Sequence, residues 1–141
     1  MIEQLFEFVG NHLILVGVFV FLLVAFFVNE SKQGGAVIAT GGLVTLINRE
    51  DALVLDVRDS KDFAQGHIVG AVNIPYGSID NRMAEVEDFK ERPVVVVCKM
   101  GQHAGAVGKK LRARGFENVR RLSGGMAEWF AANLPVVKGK S

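Results

Sequence analysis

The chain has 141 residues, of which 50% are hydrophobic, with 16 Lys and Arg against 15 Asp and Glu. A single cysteine excludes a disulfide framework, and the apolar content with only three prolines excludes a long disordered chain. A formal net charge of +1 argues against a nucleic-acid partner. The charge is uneven, however. Residues 1–30 contain Glu3, Glu7 and Glu30 and no base, so every Lys and Arg lies in residues 31–141 and that part is mildly basic.

Sixteen residues from Leu13 to Val28 carry no charge and no strongly polar group. The apolar stretch extends back to Leu5, broken only by Glu7, Asn11 and His12. At 1.5 Å per residue, about 20 apolar residues cross the hydrocarbon core of a bilayer. Residues 1–30 are therefore expected to be a single transmembrane anchor running from Leu5 to Val28. A cleaved secretory signal is disfavoured, because the segment before the apolar run is acidic and Asn29-Glu30-Ser31-Lys32 is a poor cleavage site. With no base before the span and Lys32 and Arg49 after it, the charge bias puts the soluble part in the cytoplasm, and the protein in the cell membrane as a single-pass chain. Residues 31–35 read as a short flexible linker through Gly34 and Gly35. His12 reads as an interfacial residue.

Residues 36–141 read as one domain. Val37-Ile38 is a strand candidate, and Thr40 is placed to cap a helix through Asn48 with Leu43, Val44, Leu46 and Ile47 inward. Leu53 to Val57 is a buried strand. Ser60 caps a short helix to Gln65, and Gly70 to Ile74 is a strand ended by Pro75. Ile79 to Phe89 has a helical pattern. Val94 to Cys98 is the most apolar strand. A helix over Ala104–Arg114, a strand over Val119–Leu122 and a helix after Gly124-Gly125 complete the chain, with Trp129 and Phe130 expected in the core. Strands alternating with helices, and apolar throughout, predict an α/β fold with a parallel sheet covered on both faces.

In such folds ligands bind outside the carboxyl ends of the strands. Asp56-Val57-Arg58 and Cys98-Lys99-Met100-Gly101-Gln102-His103 fall there. Cys98 ends a buried strand and stands before a helix. A loop of that kind turns backbone N–H groups toward one point, with Gly101 allowing unusual dihedrals. The helix N-terminus and Lys99 add positive potential, and together they favour a thiolate.

Four motifs carry a family resemblance. Asp56-Val57-Arg58, Gly66 to Pro75, Cys98 to Ala104 and Leu122 to Trp129 resemble the rhodanese family, in the same order. The resemblance implies a sandwich with a central parallel sheet of about five strands, and sulfur transfer through a cysteine persulfide. It implies Cys98 as nucleophile, with Lys99, Met100, Gly101, Gln102, His103 and Ala104 holding the persulfide and the anionic donor. Arg58 matches the Asp-x-Arg motif and is expected to border the substrate. Asp56 and His67 are expected to hold local structure. A related phosphatase branch has a longer loop with Arg six positions after Cys; here that position is Ala104, so phosphatase chemistry is disfavoured. The implied partners are a small-molecule sulfur donor such as thiosulfate, a thiol or protein acceptor, and membrane lipid around the anchor. No cofactor is implied, and no cluster of ligating residues has metal spacing. The alternative is a membrane-tethered rhodanese-like interaction module for other membrane proteins, with incidental catalysis or none. Lys109, Lys110, Arg112, Arg114, Arg120 and Arg121 form a basic cluster, read as a solvated face or as a patch that meets lipid headgroups or an acidic partner.

Overall fold

The computed structural model describes residues 1–140; Ser141, the last residue of the expected domain, lies outside the described residues. The chain divides into two units, Met1–Lys32 and Gln33–Ser141.

The first unit holds helices α1 (Ile2–Asn11) and α2 (Leu13–Gln33). The expected continuous span is interrupted at His12, whose φ of −129° and ψ of 43° leave the helix. The His12 backbone N–H donates to the Phe8 carbonyl at 3.0 Å, and its ring Nδ1 lies 3.1 Å from the same oxygen. The ring also stacks on Phe8 with centroids 4.5 Å apart. Hydropathy alone does not register a break that one side chain makes against its own backbone. Helix α1 is amphipathic, with Ile2, Leu5, Phe6, Phe8 and Val9 on one arc and Glu3, Gln4, Glu7 and Asn11 on the other. Within α2, Leu13–Glu30 is an 18-residue stretch of mean hydropathy 2.6, long and apolar enough to cross a membrane.

The second unit is an α/β sandwich. Strands β1 (Ala36–Ile38), β2 (Leu53–Asp56), β3 (Val72–Asn73), β4 (Val94–Val97) and β5 (Val119–Leu122) form one sheet in the order β1-β5-β4-β2-β3. Every pairing is parallel. Helices α3 (Thr40–Glu50), α4 (Ser60–Gln65), α5 (Ile79–Arg82) and α6 (Ala104–Ala113) lie between successive strands, and α7 (Gly125–Ala131) follows the last. β4 is apolar throughout, and β2 is apolar up to Asp56 at its end, because both faces are covered. Leu53, Leu55, Val94 and Val96 face a core with Ile79, Met83, Val107 and Leu111, while Val54, Val95 and Val97 face one with Leu43, Phe63, Met126 and Trp129. The five-strand parallel sheet expected from the residue pattern is present.

Local differences follow from packing. The stretch read as one helix over Ile79–Phe89 is α5 followed by a 3-10 segment, Met83–Phe89. The third strand shrinks to Val72–Asn73, at the sheet edge. Neither Thr40 nor Ser60 serves as a cap: the N-cap positions are Ala39 and Asp59, and neither makes a side-chain capping bond. Gly34 and Gly35 are buried rather than forming an exposed joint. Gly34 lies against the backbone of Gly105, and a Cβ on Gly108 would strike the Gly34 carbonyl. Helix α6 thus admits this segment because Gly108 carries no side chain.

Candidate active site

The chain leaves β2 toward β3 and leaves β4 toward β5, in opposite directions across the sheet. A crevice opens outside the carboxyl ends where such connections diverge. Asp56-Val57-Arg58 and Cys98 stand at that point, one after each strand.

Cys98 continues the alternation of β4, sharing a core with Val94 and Val96, and is 2% exposed. Its carbonyl accepts the Met126 N–H at 2.8 Å, and the Lys99 carbonyl accepts the Ala127 N–H at 3.0 Å. The first turn of α7 thereby holds the start of the loop. Gly125 makes this approach possible: it has φ +59°, and a Cβ there would collide with the Cys98 carbonyl. Gly101 takes φ +93° and turns its N–H onto the Cys98 Sγ at 2.9 Å. That N–H is placed to bond negative charge that develops on the sulfur. The Gln102 side chain closes the other side. Its Oε1 accepts the Met100 N–H at 3.0 Å and lies 3.6 Å from Sγ as acceptor of the thiol proton.

The loop amides were expected to act together from Lys99 to Ala104. In the structure the Gly101 N–H bonds to sulfur, and the Met100 N–H is engaged by Gln102. Lys99 and Met100 are exposed on the rim, and Ala104 is buried at the start of α6. His103 stacks on Tyr76, with centroids 4.4 Å apart. The Tyr76 N–H bonds to the Val57 carbonyl at 3.0 Å, so the loop after β3 is tied to the β2 end. Lys110 Nζ lies 5.7 Å from the Tyr76 ring centroid and pairs with Asp80 at 3.0 Å.

Arg58 is a strut. Its Nε bonds to Asp56 Oδ1 at 2.9 Å, and its NH2 reaches Asp56 Oδ2 at 2.7 Å and the Gly66 carbonyl at 2.8 Å. Both side chains of this pair are nearly inaccessible. The guanidinium is thus committed largely to the protein, although Arg58 also lines the adjoining cleft. His67 is fully buried, with Nδ1 2.8 Å from the Phe63 carbonyl and its ring stacked on Phe63 at 3.7 Å.

Two further residues border the site that sequence reasoning did not place there. Tyr76 lies 27 residues from its partner His103, a separation that carries no local signal. Phe130, expected in the core beside Trp129, is 45% exposed while Trp129 is 3% exposed. Adjacent helical residues point about 100° apart, so a short helix on a sheet buries one of them. Phe130 lines a cleft of about 460 Å³ with Met100, Met126, Lys99 and Gly66. The basic cluster is partly neutralised by ion pairs, Lys110 to Asp80 and Arg114 to Glu87.

A family model described as a rhodanese-like domain matches residues 41–132. The chain belongs to the rhodanese family. A relative in Escherichia coli K12, the uncharacterized protein YibN, is 39% identical over 142 residues, covering 98% of this chain and 99% of that protein. A sulfurtransferase of Allochromatium vinosum is 35% identical over 92 residues, covering 65% of this chain and 84% of that one. Among solved structures, a rhodanese-related protein from Thermoplasma volcanium superposes with a TM-score of 0.67 at 26% identity, covering 74% of this chain and 99% of that one. The thiosulfate sulfurtransferase of Pseudomonas aeruginosa gives 0.64 at 25% identity, covering 73% of this chain but 20% of that one. Membership in this rhodanese family supports a general sulfurtransferase role.

Proposed function

We propose that the protein is a membrane-anchored sulfurtransferase that carries sulfane sulfur on Cys98. Residues 1–30 serve as the anchor and residues 36–141 as the catalytic domain. The observation that carries the reading is the Gly101 N–H on Cys98 Sγ at 2.9 Å, in a loop at the carboxyl end of β4 and the N-terminus of α6.

The Cys98 thiolate attacks the outer sulfur of a donor such as thiosulfate. The new S–S bond forms as the donor's own S–S bond breaks, and sulfite leaves with the electron pair. An acceptor thiolate then attacks the outer sulfur of the persulfide. It takes that sulfur and releases the Cys98 thiolate, so one difficult transfer becomes two easier ones. The Gly101 amide stabilises negative charge on the sulfur in both steps, and the α6 N-terminus adds positive potential. Gln102 Oε1 lies 3.6 Å from Sγ, within reach of the thiol proton. Lys99 on the rim draws the anionic donor.

The anchor rests on the 18-residue stretch Leu13–Glu30, and the charge bias around it favours a cytoplasmic domain. Intact-mass spectrometry of the full chain before and after thiosulfate tests the chemistry. A gain of one sulfur atom that cyanide removes is the expected result, and Cys98→Ser shows no gain. An unmodified mass with thiosulfate, mercaptopyruvate and a persulfide donor in turn would overturn the reading.

A further inference from the structure

Five large hydrophobic side chains of the second unit are well exposed among the described residues: Val37, Val69, Tyr76, Met100 and Phe130. Three of the five belong to the cysteine loop or meet its residues. Met100 is in the cysteine loop, Tyr76 stacks on His103 of that loop, and Phe130 shares the adjoining cleft with Met100. Exposed apolar groups scattered singly need no explanation, but a cluster at a reactive centre marks a contact surface. The cleft of about 460 Å³ has Met126 as its floor and Lys99 at its edge. Lys99 is exposed and has no ion-pair partner among the described residues.

A thiosulfate ion is small, doubly anionic and served by amides and cations. It has no use for Met100, Met126 and Phe130, nor for a cleft of the size that takes a whole apolar side chain. Resting on the sulfurtransferase reading, we infer that the acceptor is a protein thiol with a large apolar residue beside its cysteine and an acid nearby. The apolar residue enters the cleft between Met100 and Phe130, and the acid meets Lys99. The acceptor thiolate forms a bond to the outer sulfur of the Cys98 persulfide. The bond between the two persulfide sulfurs breaks, and the Cys98 thiolate departs with its electron pair. No oxidant or reductant is consumed.

The test uses the full chain in phosphatidylcholine nanodiscs, loaded with thiosulfate and freed of excess donor. Persulfide loading is confirmed by mass. Sulfur transfer is then timed to two acetylated cysteinyl peptides that share one Asp and differ in Phe or Gly next to Cys. Burial of one large apolar side chain predicts a second-order rate about 10-fold higher for the Phe peptide. Phe130→Gln brings the ratio of the two rates to within about 2-fold of unity, and Phe130→Leu, which keeps the apolar wall, retains most of it. A wild-type ratio below about 2, or a ratio that Phe130→Gln leaves untouched, overturns the assignment. Transfer to both peptides that is blocked in nanodiscs and equal in detergent micelles also overturns it, because lipid then covers the rim. Absence of loading has a different meaning: it removes the sulfurtransferase reading itself, and this assignment with it.

Discussion

Arg58 shows how a residue at a reactive centre can belong to the scaffold. Its guanidinium holds Asp56 and the Gly66 carbonyl with almost no solvent access. Removing one partner of a buried pair leaves the other charge without compensation. Arg58→Ala is therefore expected to lower unfolding free energy by about 3–5 kcal/mol in a denaturant titration. A variant that kept wild-type stability and lost only thiosulfate affinity would make Arg58 a substrate contact instead. Gly125 is a second such position. Its φ of +59° and its approach to the Cys98 carbonyl leave no room for a side chain. Gly125→Ala should destabilise the protein by at least about 1 kcal/mol and slow persulfide formation, because the clash displaces the loop that carries the sulfur. Normal loading kinetics would show that the loop tolerates the shift.

Helix α6 connects the cysteine loop to the segment that enters the domain. Gly105 and Gly108 meet Gly34, so a side chain at Gly108 would push that segment away. Gly108→Val is expected to cost about 1–3 kcal/mol, in line with other overpacked sites, and to expose the amides of residues 34–36 to hydrogen exchange. Unchanged protection there would count against the contact. The outer face and C-terminal end of the same helix are held by exposed ion pairs to α5 and to the 3-10 segment after it. Hydrogen bonding to Lys90, with a further bond to Arg114, lowers the Glu87 pKa below its usual value of 4.5. A depressed carboxylate pKa contributes stability above the unfolded value, and that contribution is lost as pH falls through the folded one. Denaturation midpoints should thus drop between neutral pH and pH below about 4.5, more for wild type than for Glu87→Gln, with a difference that shrinks in high salt. Equal slopes for the two proteins would rule the pair out as a source of acid sensitivity.

Taken whole, the molecule joins an apolar helix to a rhodanese-like α/β unit. A membrane-spanning role for α2 predicts that the full chain stays in the pellet after carbonate extraction. Leu22→Arg, which places a charge near the middle of Leu13–Glu30, costs about 2.5–3.5 kcal/mol of insertion free energy and should move a large fraction to the supernatant. Full extraction of the wild type would leave α2 without that role. The relatives that match nearly the full length share both parts of the chain, whereas the Allochromatium sulfurtransferase covers 65% of it.

Much of this architecture was legible in the residues. The apolar runs at Leu53–Leu55 and Val94–Val97 announce strands buried on both faces, and β5 falls where the pattern places it. The position of Cys98 between such a strand and a helix follows from local periodicity, because each element is specified by neighbours a few residues apart. Other features depend on groups distant in sequence, and only the tertiary structure decided them. The pairing of Tyr76 with His103, the burial of Gly34 against α6 and the exposure of Phe130 beside a buried Trp129 belong to this class. Periodicity reports which residues avoid water, but not which surface they avoid it against. The cysteine loop meets Tyr76 through His103 and Phe130 through the cleft beside Met100, contacts that exist only once the sheet has brought separate segments together.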